Sequence, residues 1–345
     1  MFKTKLLLIY TVLSLCSVSS AALAGSSQPL ISANKAYMAP LASKAPMMAL
    51  VNTGKSLVAV GSRGQILIGA NEMWQQVAVP TEALLTNVYF HNPLLGWAVG
   101  HDATILKTTD GGQTWTLKQQ LPELDKPLLD VYFTDELNGF VVGAYGLFSV
   151  TADGGETWTN QFLGSLLPAE DIEYLEEVRA DSEEDYQFEI ASILPHFNRI
   201  TAISGDRLLL VGELGLIATS SDQGKTWQRQ DDIYEGSFFS AIETNKQTLL
   251  VAGLRGNLFR LAPESTTWQR ITLPNNFSVN QIKQLKDHTI VLALNNGIIL
   301  SSDDDGQTFY QIGLYKGQDI VDLAELAEQT WFVGSKGISL LEVNR

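Results

Sequence analysis

From residue 45 onward the chain alternates short apolar, β-branched or aromatic runs with glycine, asparagine and aspartate breaks. Runs such as 128–133 (LLDVYF) are too short for helices, and the turn residues between them read as hairpins. The pattern also repeats. TTDGGQTW at 108–115 returns as TADGGETW at 151–158, SSDQGKTW at 220–227 and SDDDGQTF at 302–309. Decayed copies end at Trp74 and Trp268. The six aromatic positions lie 41, 43, 69, 41 and 41 residues apart, so one interval carries about 27 extra residues.

Between these phrases sits a second, V-G-x-x-G, with seven copies beginning at Ala59, Ala98, Val141, Leu210, Val251, Ala293 and Phe332. Each unit therefore predicts four strands, the inner one resembling 128–133. Four strands at a period near forty residues match a propeller blade, and radial repetition protects the sheet edges. The reading is an all-β, seven-bladed propeller of four-stranded antiparallel blades with Asp-box turns. The last unit runs out after three strands, so residues 29–39 are expected to supply the fourth and close the ring with the C-terminal strands. Residues 25–345 form one domain on this reading, with 164–198 an insertion between the third and fourth blades.

The N-terminus reads differently. Lys3 and Lys5 precede an apolar run at 6–18, and Ala22-Leu23-Ala24 gives a small-residue cleavage site. Residues 1–24 are thus expected to be a signal peptide and the protein to be exported, to a periplasm. Cys16, the single cysteine, lies inside it; Leu15 before it makes a poor lipoprotein site. No later stretch is apolar enough to span a bilayer.

Composition narrows the chemistry. With 23 Lys+Arg against 38 Asp+Glu the net charge is −15, which argues against nucleic acid as a partner. One cysteine excludes a disulfide scaffold or a thiolate zinc site. His91, His101, His196 and His288 show no metal-ligand spacing, and no nucleophile elbow, phosphate loop or dinucleotide fingerprint occurs. No cofactor, metal or catalytic residue is assigned. In the Asp boxes Asp110, Asp153, Asp222 and Asp304 can accept backbone N–H groups inside a tight turn, while Trp115, Trp158, Trp227 and Phe309 pack between sheets; their expected role is structural. A sialidase-like glycosidase or carbohydrate-binding propeller is the alternative function. It would need several arginines converging beside a nucleophile and an acid, and only Arg63 and Arg255 occupy matching turn positions.

Chain direction places the G-x-x-G turns and the connections between blades on one face, opposite the Asp boxes. The third turn residue of each copy should then form a ring on that face: Arg63, Asp102, Tyr145, Leu214, Arg255, Asn296 and Lys336. The residue types differ, so packing is not expected to fix them. The insertion joins the same face. Pro168 suits a helix start, Ile172, Leu175 and Val178 make a narrow apolar stripe, and Glu176, Glu177, Glu183 and Glu184 belong to a strongly acidic stretch. A short helix followed by an acidic loop is expected, available to a partner.

The V-G-x-x-G turns, the T-x-D-G-G-x-T-W boxes and inner strands such as 88–90 (VYF) and 131–133 (VYF) followed by Gly-Trp or Gly-Phe resemble the photosystem II stability/assembly factor family. The similarity covers residues 45–344 and is strongest over 84–158. The resemblance implies a non-enzymatic propeller that binds newly made membrane-protein subunits, in a thylakoid-lumen-like space if the host is photosynthetic; the expectation here is a scaffold for an envelope or membrane-protein complex, working as a monomer. It also implies an arginine patch on the turn-bearing face, matched at Arg63 and Arg255, whereas Asp102, Tyr145, Leu214 and Asn296 depart from a basic ring.

Overall fold

The computed structural model describes residues 35–70 and 73–342. Seven antiparallel sheets follow one another along the chain, each in simple sequential strand order. Their inner strands are Met47–Asn52, Leu85–Phe90, Leu128–Phe133, Phe197–Ile203, Phe238–Glu243, Val279–Gln284 and Ile320–Leu326. Among the described residues six sheets have four strands and the seventh has three. Second strands such as Leu57–Gly61, Gly96–Gly100 and Ile290–Leu294 are buried along their whole length. Blades cover them on both sides, which explains why they read as continuous apolar runs. The chain is a seven-bladed propeller.

Core clusters lie between successive blades. Trp97 of the second blade stacks on Phe133 of the third with centroids 3.5 Å apart, and both are fully buried. Trp115 and Trp227, which follow the aspartate turns, are also buried. Those turns share one construction. In the fourth blade Asp222 Oδ1 accepts the Thr226 N–H at 2.9 Å and Oδ2 accepts the Thr226 hydroxyl at 2.6 Å. Ser220 Oγ donates to Asp222 at 2.8 Å, and Trp227 Nε1 donates to the Gly224 carbonyl at 3.1 Å. Asp110, Asp153 and Asp304 make the matching bonds to Thr114, Thr157 and Thr308.

Over the described residues, ring closure departs from the sequence expectation. Lys35–Ala39, the described part of the segment expected to complete the seventh sheet, forms no strand. It runs beside the fourth strand of the first blade instead: Ala36 N–H donates to Val79 O and Ala39 N–H to Gln76 Oε1, both at 2.9 Å. Residues 29–34 lie outside the described residues, as do the signal peptide expected at 1–24 and Cys16. The first and seventh blades meet through their inner strands and also farther out from the axis. Leu50 N–H donates to Asp322 Oδ2 at 2.8 Å, and Trp74 meets Trp331 edge to face at 5.7 Å.

The insertion is also more regular than expected. Helix α1 spans Ala169–Asp181 and helix α2 spans Glu183–Ile190, so the expected acidic loop is a second helix. Ser182 caps it, its side chain accepting the Asp185 N–H at 3.1 Å. The stripe on α1 is narrower than the sequence suggests: Leu175 is buried, whereas Ile172 faces out.

Candidate functional site: the turn-bearing face

Two sets of hydrogen bonds fix the faces. The second glycine of a G-x-x-G turn donates to the connection entering the next blade: Gly64 to Ala83 O, Gly146 to Pro195 O and Gly215 to Gly236 O, at 2.8–2.9 Å. The aspartate turns bond elsewhere, Gly111 to Leu94 O and Gly154 to Leu137 O, in the hairpins between first and second strands. Turns and inter-blade connections therefore share one face, with the aspartate turns opposite.

The fourth-blade turn shows why the two glycines are needed. A Cβ on Gly212 would sit 2.2 Å from His196 O, and one on Gly215 would sit 1.8 Å from Tyr234 O at a φ of +71°. Backbone from the same blade and from the next closes over both positions, which only glycine tolerates. Between them the third residue is pushed outward. Arg63, Asp102, Tyr145, Leu214, Arg255 and Asn296 all have φ between +52° and +61°. These six share the left-handed region that L-residues avoid. Packing thus fixes the backbone of this ring while leaving side-chain identity open. Lys336 differs: Gly334 pairs with Gly337, so Ser335-Lys336 is a two-residue turn with the positive φ on Gly337. All seven side chains are exposed except Asp102, which is half-buried beside Gln120.

The ring is not uniform. On the third blade Tyr145 meets His196 edge to face at 4.7 Å, with Lys126 Nζ 5.8 Å from the Tyr145 ring. Glu213 Oε2 lies 3.3 Å from His196 Nδ1. Glu176, Glu177, Glu183 and Glu184 are exposed on the helical insertion, which ends beside this cluster with Ala191 O accepting from Lys126 Nζ. On the fifth blade Arg255 and Arg270, with Thr272, Asn275 and Asn276, line a cavity of about 550 Å³. Neither arginine makes an ion pair among the described residues. A concave surface with two guanidinium groups and two amides suits an anionic or carbonyl-rich ligand. Sequence reasoning missed Arg270. Its signal was W-Q-R at 268–270, which repeats W-Q-R at 227–229, where Arg229 is occupied by Asp232 at 2.9 Å and Leu166 O at 3.2 Å.

Sequence reasoning also missed a polar belt on the inner strands. All seven inner strands show the same irregularity: the pairing slips between the first and third residues. The third residues are Ala49, Asn87, Asp130, Arg199, Ser240, Gln281 and Asp322. Asp130 Oδ2 accepts the Ile200 N–H at 2.8 Å, Ser240 Oγ the Ile282 N–H at 3.0 Å, and Asp322 the Leu50 N–H. Each link joins one blade to the next. Burial pushes the Asp130 carboxyl up, against the opposing pull of Arg199, whose Nη1 lies 3.4 Å away.

The arginines a sialidase would bring together are dispersed. Arg63 and Arg255 belong to different blades, Arg199 pairs with Asp130, and Arg260 pairs with Asp305 at 2.8 Å. The glycosidase alternative is not favoured. Among the described residues no helix is long and apolar enough to cross a membrane, and no cluster of potential metal ligands is present.

The comparisons with known proteins agree with the repeat type. Residues 68–127 match the family described as photosynthesis system II assembly factor YCF48. A relative from Synechococcus sp., named photosystem II assembly protein Ycf48, is 28% identical over 236 residues. That alignment covers 67% of this chain and spans 62% of the relative's length. Among solved structures, one titled YCF48 bound to D1 peptide superposes with a TM-score of 0.64 at 16% identity, covering 88% of this chain and 95% of that one. A streptogramin B lyase superposes with a TM-score of 0.67 at 14% identity, covering 88% and 95%. The last two share the fold, and the lyase makes plain that the fold alone does not dictate chemistry. The chain is similar to the photosystem II assembly factor-like β-propellers.

Proposed function

From the premise of a photosystem II assembly factor-like propeller, we propose that this chain is an exported, non-enzymatic scaffold. Its turn-bearing face holds a protein partner during assembly of an envelope or membrane-protein complex. The observation that carries the reading is the ring of six outward side chains held at positive φ. Strained backbone kept at matching places in successive blades presents side chains rigidly, and rigid display lowers the ordering cost of binding. The Arg255–Arg270 cavity gives that face a concave anchor. The D1 peptide named for one structural neighbour makes a polypeptide the fitting class of ligand. Residues 1–24 would direct export and be removed, leaving one propeller domain that works as a monomer.

The test uses photo-crosslinkers at Arg63, Tyr145 and Arg255 in the source cell, with controls on the opposite face at Gln113 and Lys225. Capture of one membrane-complex subunit from the first set alone is expected. Equal capture from both sets would remove this face from consideration.

A further inference from the structure

The α1–α2 hairpin is built as a projection. At its root Leu166, Leu167, Leu175 and Leu194 are buried in the core between the third and fourth blades. Arg229 holds Leu166 O at 3.2 Å, Ser165 Oγ donates to Trp227 O at 3.1 Å, and Lys126 Nζ donates to Ala191 O at the end of α2. Burial pushes the Lys126 ammonium down, a cost the fold accepts to hold this contact.

The outer surface has no such partners. Ten carboxylates fall within 170–189 against one cation, Arg179. That cation is already engaged: its Nε lies 3.2 Å from Glu183 and its guanidinium 4.9 Å from the Tyr186 ring. Among the carboxylates stand exposed aromatics. Phe188 is 76% exposed and Tyr174 44%. The Glu189 and Asp185 carboxylates of α2 lie beside Tyr174 of α1, and Phe188 stands three positions after Asp185 on α2, a neighbour of it on the helix surface. A solvated excursion needs charge but no exposed Phe, and an apolar contact alone needs no uncompensated charge. The occupant that answers both is cationic and apolar at once. An anionic lipid surface would be repelled, as would a second copy of a chain with net charge −15.

We propose that this surface, centred on Phe188 and Tyr174 and flanked by Glu184, Asp185 and Glu189, docks a basic segment of a partner protein that carries large apolar side chains. The apolar side chains seat on the two rings, and the lysines or arginines meet the carboxylates and the ring faces. The proposal deepens the scaffold reading and rests on it only for the partner being a protein.

The test measures fluorescence anisotropy of two labelled peptides on the full chain, one alternating lysine with leucine, the other lysine with serine. The lysine–leucine peptide should bind about tenfold more tightly, the effect of burying one or two side chains at ~1.4 kcal/mol per decade. Phe188→Ser should erase that preference while leaving the melting curve intact, and Phe188→Leu should keep it. Glu184→Gln with Asp185→Asn should weaken both peptides, as should added salt. Arg255→Ala should change neither, so failure of the Arg255 face and failure of this site read separately. Equal binding of the two peptides, or parent-like binding by Phe188→Ser, would overturn the proposal. Self-association that Phe188→Ser abolishes would overturn it in favour of a second copy.

Discussion

Leu214 shows how much a single position can say. It sits at φ +52° and is 66% exposed, so neither backbone preference nor burial explains a leucine there. An L-residue in this region costs about 1–2 kcal/mol, part of which glycine would return through a looser unfolded chain. Leu214→Gly should therefore be neutral or stabilising by up to about 1 kcal/mol in thermal denaturation. The neighbouring Gly215→Ala should be clearly destabilising, because its new Cβ would meet Tyr234 O at 1.8 Å. A large loss from Leu214→Gly would mean the leucine is held for packing rather than display. The buried stack offers a contrast. Trp97→Ala removes the ring that lies 3.5 Å from Phe133, and should cost about 3–5 kcal/mol by equilibrium unfolding.

At the scale of the element, the inner strand is where one blade is tied to the next. The slipped register exposes a backbone N–H on one strand, and a polar side chain from the preceding blade takes it. Asp322 makes this link across the ring closure. It accepts from Leu50 and Leu323 N–H groups and from Gln281 Nε2 at 2.8–3.0 Å, with Lys283 Nζ 3.8 Å away. Asp322→Ala would strand these donors in a buried site, at about 1–3 kcal/mol for an unpaired group. Faster amide hydrogen exchange at Leu50 than at its counterparts in other blades should accompany the loss. Unchanged exchange there would show that the apolar packing of the first and seventh blades closes the ring without the carboxylate. The α1–α2 hairpin teaches a related lesson. Ser182 followed by acidic residues through Asp185 was a legible helix start, hidden because the density of charge reads as loop.

For the whole molecule, the aspartate turns set the response to acid. Hydrogen bonds from Thr226 and Ser220 hold the Asp222 carboxyl down at about 2. At Asp304 burial pulls the other way, but bonds from Thr308, Ser302 and Gln307 outweigh it and leave that carboxyl at about 2 as well. Asp153 and Asp110 are lowered too. A folded-state value below the ordinary carboxylate value stabilises the fold above the latter and is lost as pH falls through the former. Asp130 opposes this trend, since burial raises it and acidification relieves that cost. Thermal melts should hold nearly level from neutral pH down to about 4, then fall steeply toward about 2. Asp222→Asn should lower the neutral-pH plateau and shallow the acid limb; a parallel shift of the whole curve would count against the carboxylate as the cause.

The sequence by itself determined the repeat, the blade count, the two turn types and the opposite faces they occupy. Each of these follows from local rules, since glycine and aspartate act through their own turns and the apolar runs through strand pairing. Tertiary structure alone decided the polar belt, the Asp322 link at the closure, the pairing of Arg255 with Arg270 and the exposure of Phe188. Those features join residues from different blades or from separate segments of one blade, or depend on which way a helix turns against the ring. Asn87 and Asp130 are 43 positions apart in the chain yet share a hydrogen bond. No local pattern marks such a contact; only packing one blade against the next brings its two ends together.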